Sequence, residues 1–83
     1  MAQIPEVEIF GKEGCCLCDD ALDVLMKVQE RIPFTLVRTD ISSDEQLMEK
    51  YQHLIPVICI NGQKKFIFAV QEEELVSALT SAD

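Results

Sequence analysis

The spacing of apolar residues along the chain predicts short strands and helices in alternation. Polar and apolar positions alternate from Glu6 to Phe10, as they do in a half-buried strand. From Cys16 to about Arg31 the apolar residues recur instead at helical spacing, and Pro33 is expected to end that helix. Residues 34–39 are rich in β-branched and aromatic side chains and therefore predict a second strand.

A capping signature predicts the start of a second, shorter helix. Ser42 with Glu45, or Ser43 with Gln46, fits the S-x-x-E/Q capping box, in which each side chain bonds to a free backbone amide of the other residue. The residues that this helix is expected to bury are Leu47, Met48 and Tyr51.

A hairpin and a last helix complete the pattern. Residues 57–60 are entirely apolar and predict a central strand, and Asn61-Gly62 is a strong signal for a two-residue hairpin turn. The returning strand is expected at about residues 64–68, and the last helix at residues 72–81. The side chains that should face the core from that helix are Leu75, Val76 and Leu79.

The element order is therefore β-α-β-α-β-β-α, which predicts an α/β fold. A right-handed crossover would make the first two strands parallel, and the hairpin would make the last two antiparallel. The expected result is a four-stranded mixed sheet covered by three helices. Because the chain has only 83 residues, residues 1–83 are expected to form a single domain.

The net charge limits the classes of partner that are expected, and the apolar runs of the chain limit its expected location. The formal net charge of -8 disfavours nucleic acid and anionic membranes as partners. The first six residues contain no basic residue, and no apolar run has the length of a signal peptide core or a membrane span. We therefore expect a cytoplasmic protein that binds neither nucleic acid nor membrane. We also expect it to be a monomer.

Three of the four cysteines lie within four residues, directly after the first strand and a glycine-containing loop. A C-x-x-C pair that opens a helix indicates a redox dithiol, because the free amides and the positive end of the helix dipole stabilise a thiolate there. Cys15 is the candidate nucleophile, and Cys18, one turn further along, is the candidate resolving thiol. Cys59 lies in the apolar strand and is expected to be a small core residue.

The same cluster leaves a second interpretation open, a module that binds or transfers a metal through Cys15, Cys16 and Cys18. Soft thiolate ligands suit copper(I), zinc or an iron–sulfur cluster. Zinc would need a fourth ligand, either from His53 or from a second chain.

Beyond these patterns, the chain resembles the thioredoxin fold in its element order, its C-x-x-C and the Ile55-Pro56 pair before the third strand. The resemblance implies a cis-proline at Pro56 beside the dithiol. It also implies that the backbone of Ile55 pairs with an extended substrate, as strands pair. A non-catalytic domain that docks a partner through this pair is a third interpretation.

Several local sequences are similar to those of glutaredoxins in particular. Lys12 stands three residues before Cys15, Asp40-Ile41 follows the second strand, and residues 55–62 resemble the T-V-P-x-x-F-I-x-G segment of that family. The Cys-x-Leu-Cys-Asp form of residues 15–19 resembles a group of small glutaredoxin-like proteins. The chain therefore looks like a glutaredoxin-type member of the thioredoxin superfamily.

That resemblance implies an enzyme, a thiol–disulfide oxidoreductase that forms a redox-active disulfide between Cys15 and Cys18. Lys12, Ile55 and Pro56 would bind the substrate, which would be a disulfide-containing protein or a small thiol. No bound cofactor is expected, and glutathione or a reductase would serve as external electron donor.

One part of the glutaredoxin pattern is missing from this chain. The Gly-Gly-x-Asp segment that holds the γ-glutamyl end of glutathione is replaced by residues 68–72, Phe-Ala-Val-Gln-Glu. Without those glycines the backbone cannot approach a ligand as closely. We therefore expect weaker use of glutathione than a typical glutaredoxin shows.

Overall fold

The computed structural model describes residues 4–80, and the predicted order of elements is confirmed in it. The strands are β1 (Glu6–Gly11), β2 (Thr35–Asp40), β3 (Val57–Ile60) and β4 (Gln63–Ile67), and the α-helices are α1 (Cys16–Arg31), α2 (Glu45–Tyr51) and α3 (Glu72–Thr80). A single 3₁₀ turn, Ile41–Ser43, connects β2 to α2 within this part of the chain.

The strands form one mixed sheet in the order β2-β1-β3-β4. Strand β1 pairs in parallel with β2 and antiparallel with β3, which in turn pairs antiparallel with β4. In this register Phe10 lies opposite Val57, and Val57 lies opposite Ile67. The segments that follow β1 and β4, and the one that precedes β3, therefore meet at one end of the sheet.

Each face of the sheet carries its own core, as the two-residue period of a strand requires. One core lies under α1 and α3, where Leu25, Val28 and Leu75 are fully buried against Val7 and Ile58. The second core lies under α2, and its buried members are Phe10, Ile41, Tyr51, Val57 and Cys59.

Cys59 and Tyr51 are core residues, as their surroundings in the sequence predict. Cys59 is buried, and burial together with the nearby Glu8 carboxylate raises the pKa of its thiol. The ring of Tyr51 packs against the ring of Phe10 with centroids 4.9 Å apart. His53, by contrast, is exposed in the turn after α2.

The predicted capping box is wrong. Asp44 caps α2, and its Oδ1 accepts hydrogen bonds from the amides of Gln46 and Leu47 at 2.9 and 3.4 Å. Asp and Ser are comparably good helix caps, so a run that contains both allows more than one starting point. Ser42 is already held by Asp40, whose Oδ1 accepts from both its amide and its hydroxyl.

The remaining differences concern boundaries and degree of burial. Strand β1 continues to Gly11, β2 starts one residue later than expected, and β4 starts one residue earlier. Strand β4 can begin directly after Gly62 because Asn61 and Gly62 both adopt positive φ, 52° and 85°, as a tight hairpin turn requires. Ser81, the expected end of the last helix, lies outside the described residues. Three of the side chains that were expected to face the core are only partly buried, namely Leu47, Met48 and Val76.

Candidate dithiol site

Cys15 caps the N-terminus of α1 with its sulfur. It has extended backbone angles, φ −91° and ψ 108°, and its Sγ accepts a hydrogen bond from the amide of Cys18 at 3.3 Å. A capping oxygen of Ser or Asp usually accepts this bond from the amides of the first turn. Since the helix dipole is positive at this point, the arrangement stabilises negative charge on the sulfur of Cys15.

Cys18 lies on the same helical turn but faces the sheet, with only 9% of its surface exposed. Burial is the largest cause that raises the pKa of its thiol from an ordinary value of 9.0 to about 11, and a hydrogen bond with the Cys15 side chain acts in the same direction. A backbone hydrogen bond with Lys12 acts in the opposite direction. Cys18 therefore keeps its proton at neutral pH. Both thiols are free in this structure.

Gly11, at the end of β1, leaves the space that Cys18 occupies. A Cβ added at this glycine would lie 2.8 Å from the Sγ of Cys18 and 3.2 Å from its Cβ, both closer than normal contact. Because glycine has no Cβ, the thiol of Cys18 can lie directly against the strand. In the sequence alone, Gly11 is one of two glycines in the loop after the first strand, and nothing there indicates this contact.

Cys16 and Leu17, the two residues between the paired thiols, are exposed. Within residues 4–80, His, Cys, Asp and Glu side chains form no group of three or more that could hold a metal ion. Cys15 and Cys18 are therefore arranged as a pair, and the three thiols are not gathered as a ligand set.

The Ile55-Pro56 peptide bond is cis, as the resemblance implies. Because Phe10 pairs with Val57, this bond lies beside Gly11 and hence beside the segment that leads to Cys15. Pro56 is buried, and Ile55 is half-buried with its side chain packed against the core under α2. Within residues 4–80, neither the amide nor the carbonyl of Ile55 takes part in a backbone hydrogen bond.

Lys12 is exposed in the loop between β1 and Cys15, and it lines an open cleft of about 580 Å³ that reaches Cys18. Arg38, which no sequence pattern indicated, contributes a second cation from β2. The carboxylates that line the same cleft are Glu13, Asp19 and Asp40. Hydrogen bonds from Ser42 lower the pKa of Asp40, which keeps that carboxylate charged. The cleft therefore carries mixed charge and has no net preference for an anion.

The raised pKa of Cys18 predicts a loss of stability in alkaline solution. The unfolded chain releases this proton near pH 9, whereas the folded protein retains it until about pH 11. The stability that protonated Cys18 contributes is fully present below the pKa of the unfolded chain and is lost as pH rises through the pKa of the folded protein. The free energy of unfolding should therefore fall between these two pKa values. Urea unfolding at several alkaline pH values measures this decrease.

The variant Cys18→Ser should show a shallower decrease, while Cys16→Ser, which alters an exposed thiol, should behave like the wild type. Some decrease should remain in Cys18→Ser because the pKa of buried Cys59 is raised as well. An identical pH dependence in Cys18→Ser and the wild type would contradict the prediction.

Comparison with known proteins agrees with this geometry. Residues 6–80 match the family model described as Glutaredoxin-like domain (DUF836). The solution structure of protein Ne2328 from Nitrosomonas europaea is similar with a TM-score of 0.82 at 21% identity, over 95% of each chain. A structural-genomics target protein from X. campestris gives a TM-score of 0.77 at 22% identity, over 93% of this chain and 99% of that one.

A thioredoxin is also similar in structure, namely that of Fasciola hepatica, with a TM-score of 0.65 at 20% identity. The match covers 96% of this chain and 82% of the thioredoxin. At these identities the structural matches show the shared fold. The family match over nearly the whole chain shows that this protein, which has the thioredoxin fold, belongs to the glutaredoxin-like domain family (DUF836).

Proposed function

We propose that the protein is a thiol–disulfide oxidoreductase that reduces disulfides through Cys15 and Cys18. The observation that carries the proposal is the pairing of two unlike thiols. The sulfur of Cys15 caps a helix and accepts the amide of Cys18, whereas Cys18 is buried, protonated and hydrogen-bonded to Cys15. The cap position favours a nucleophilic thiolate at Cys15, and burial keeps Cys18 protonated until the second exchange.

The reaction proceeds by two exchanges. The thiolate of Cys15 attacks one sulfur of the substrate disulfide, so that a mixed disulfide forms and the other substrate sulfur leaves as a thiolate. Cys18 then transfers its proton to water or to the departing thiolate, and its sulfur attacks the Sγ of Cys15, which releases the second substrate thiolate. Two electrons pass to the substrate, and the protein is left with a Cys15–Cys18 disulfide.

An external thiol pair or a reductase returns the protein to the dithiol form by the reverse exchanges. The protein itself needs no bound cofactor for either half of this cycle, because both electrons are stored in its own sulfur atoms. Glutathione is one possible donor, although residues 68–72 differ from the segment that binds it in glutaredoxins.

Ile55, Pro56 and Lys12 are the proposed substrate-binding residues. The free amide and carbonyl of Ile55 can pair with an extended substrate backbone, and the cis bond to Pro56 holds them beside the dithiol. Lys12 can form an ion pair with a carboxylate of the substrate or stabilise the thiolate of Cys15. The substrate class is therefore a disulfide in a protein or between small thiols.

The variant Cys18→Ser is expected to accumulate mixed disulfides with substrate, because the first exchange is intact and the second has lost its attacking sulfur. The experiment incubates reduced variant with a disulfide-linked peptide and identifies the modified cysteine by mass spectrometry after proteolysis. The modification should be on Cys15. Wild-type protein treated identically should release both peptide thiols.

Two outcomes would overturn the proposal. One is a wild-type protein that does not accelerate reduction of any peptide or small disulfide when a reductant is supplied. The other is a Cys18→Ser adduct on Cys16 instead of Cys15, which would mean that the exposed thiol is the attacking group.

A further inference from the structure

Phe68, the residue that follows β4, has an unusual backbone conformation. Its φ is 70°, in the left-handed region. The amide of Ala69 donates a hydrogen bond to the carbonyl of Ile67 at 2.8 Å, and this bond closes a turn with Phe68 at its centre. These features describe a γ-turn with positive φ, a rare and strained turn. Glycine adopts this conformation readily, whereas a bulky residue does so only when its surroundings compel it.

The surroundings of Phe68 fix its backbone and leave its ring accessible. The amide of Phe68 donates to the carbonyl of Pro56 at 2.9 Å and to that of Leu54 at 3.3 Å. The side chain is nevertheless 48% exposed. The strained turn therefore does not serve to bury the ring in the core, and the aromatic side chain requires another explanation.

The position of Phe68 supplies that explanation. Ile67 is the register partner of Val57, so Phe68 stands next to Pro56 at the sheet end that carries the dithiol. Neighbouring strands lie about 4.8 Å apart, which places Phe68 two strand spacings from the end of β1. An extended peptide advances roughly 3.3–3.6 Å per residue. A substrate side chain two or three residues from the reactive cysteine can therefore reach Phe68.

Other exposed apolar side chains lie at the same end of the sheet as the dithiol and Phe68. Leu17, two residues after Cys15, is 51% exposed, and Ile67 is 37% exposed. Ile55, between the dithiol and Phe68, is half-buried. We call Leu17, Ile55 and Phe68 the apolar rim. It offers contact area to a polypeptide but no charged or polar group that would hold a small anionic thiol.

The net negative charge of the chain, like the apolar rim, favours a polypeptide over a small anionic thiol. The chain carries 15 acidic and 7 basic residues, so an anionic ligand meets overall repulsion that salt screens only in part. Glutathione has a net negative charge and no apolar side chain. A neutral or basic polypeptide with an apolar residue near its cysteine meets neither disadvantage.

We propose that Phe68 is a specificity-determining residue that selects extended polypeptide disulfides with an apolar side chain two or three residues from the reactive cysteine, in preference to glutathione. This inference rests on the proposed function, since it assigns the substrate class of the same dithiol. The ring of Phe68 packs on that apolar side chain while the backbone of Ile55 pairs with the peptide. The sulfur chemistry is unchanged.

The test uses peptides that each contain one cysteine joined by a disulfide to the same chromophoric thiol, thionitrobenzoate. Cys15 attacks the peptide sulfur, the chromophore leaves, and its absorbance gives the rate. One peptide carries Leu near the cysteine, a second carries Ser there, and a third carries Asp. Glutathione joined to the same chromophore is the fourth substrate. The proteins are wild type, Phe68→Ala, Phe68→Gly and Met26→Ala, the last altering an exposed apolar residue on α1.

Wild type and Met26→Ala should react about fivefold faster with the Leu peptide than with the Ser peptide, which corresponds to partial burial of an aromatic contact. The Asp peptide and the glutathione derivative should be slower still. In Phe68→Ala and Phe68→Gly the ratio of the Leu to the Ser rate should fall to about one. Phe68→Gly relieves the strained turn, so it provides the comparison if Phe68→Ala folds poorly.

Each contrary result points to a different failure. An unchanged ratio of Leu to Ser rates in both Phe68 variants overturns the assignment of Phe68 but leaves the oxidoreductase intact. A wild type that reacts faster with the glutathione derivative than with the Leu peptide overturns the proposed substrate class. A wild type that accelerates none of the four reactions overturns the proposed function itself.

Discussion

Replacing Cys15 by serine should reduce disulfide reduction to the rate of the uncatalysed exchange. A serine hydroxyl stays protonated at neutral pH and is not a nucleophile toward disulfide sulfur, whereas the thiolate is. Serine can still cap α1, because its oxygen accepts the amide bond that the sulfur of Cys15 now accepts. The loss would therefore reflect chemistry and not a damaged helix.

The matched control for this experiment is Cys16→Ser, one residue away on the exposed side of the helix. It should retain the activity of the wild type. Rates are measured with a peptide disulfide and a fixed concentration of external dithiol, and circular dichroism of each variant checks that the helix remains. Full turnover by Cys15→Ser, or loss of turnover in Cys16→Ser, would show that the nucleophile has been assigned wrongly.

Leu25→Ala should lower the free energy of unfolding by about 2–5 kcal/mol, the range seen for buried leucines that leave a cavity. Leu25 is fully buried in the core between α1 and the sheet. Small domains are stable by only about 5–15 kcal/mol, so this single change should remove a large share of the total. Urea unfolding followed by circular dichroism gives the difference.

Met26→Ala provides the comparison for Leu25→Ala, since Met26 is the next residue on α1 and is 52% exposed. Its cost should stay within about 0.5 kcal/mol. Similar losses in the two variants would mean that α1 is not anchored by its buried face. The dithiol would then not be held on a rigid support.

Sequence alone predicted those features that depend on residues close together in the chain. The helical spacing of apolar residues after Cys16 located α1, and Asn61-Gly62 located the hairpin, because both signals are local. The cis bond at Pro56 followed from the resemblance to the thioredoxin fold and not from the residues themselves. The family also followed from the resemblance, whereas the α/β fold class followed from the order of the predicted elements.

Features that depend on approach in three dimensions were not predicted. Nothing local to Gly11 shows that Cys18, seven residues later, comes within contact distance of its backbone. Phe68 is among the residues least expected at positive φ, so its turn becomes visible only in the structure. The cap of α2 was misassigned because Asp40, Ser42, Ser43 and Asp44 compete within one short run.

The sulfur cap of α1 links a helix-capping hydrogen bond to the charge on Cys15. A thiolate is a charged acceptor for the amide of Cys18, and it lies at the positive end of the helix. In the disulfide of the proposed reaction, the sulfur of Cys15 would carry no charge and would be a weaker acceptor for this amide. A contact that favours the thiolate over the disulfide raises the redox potential and makes the protein a stronger oxidant.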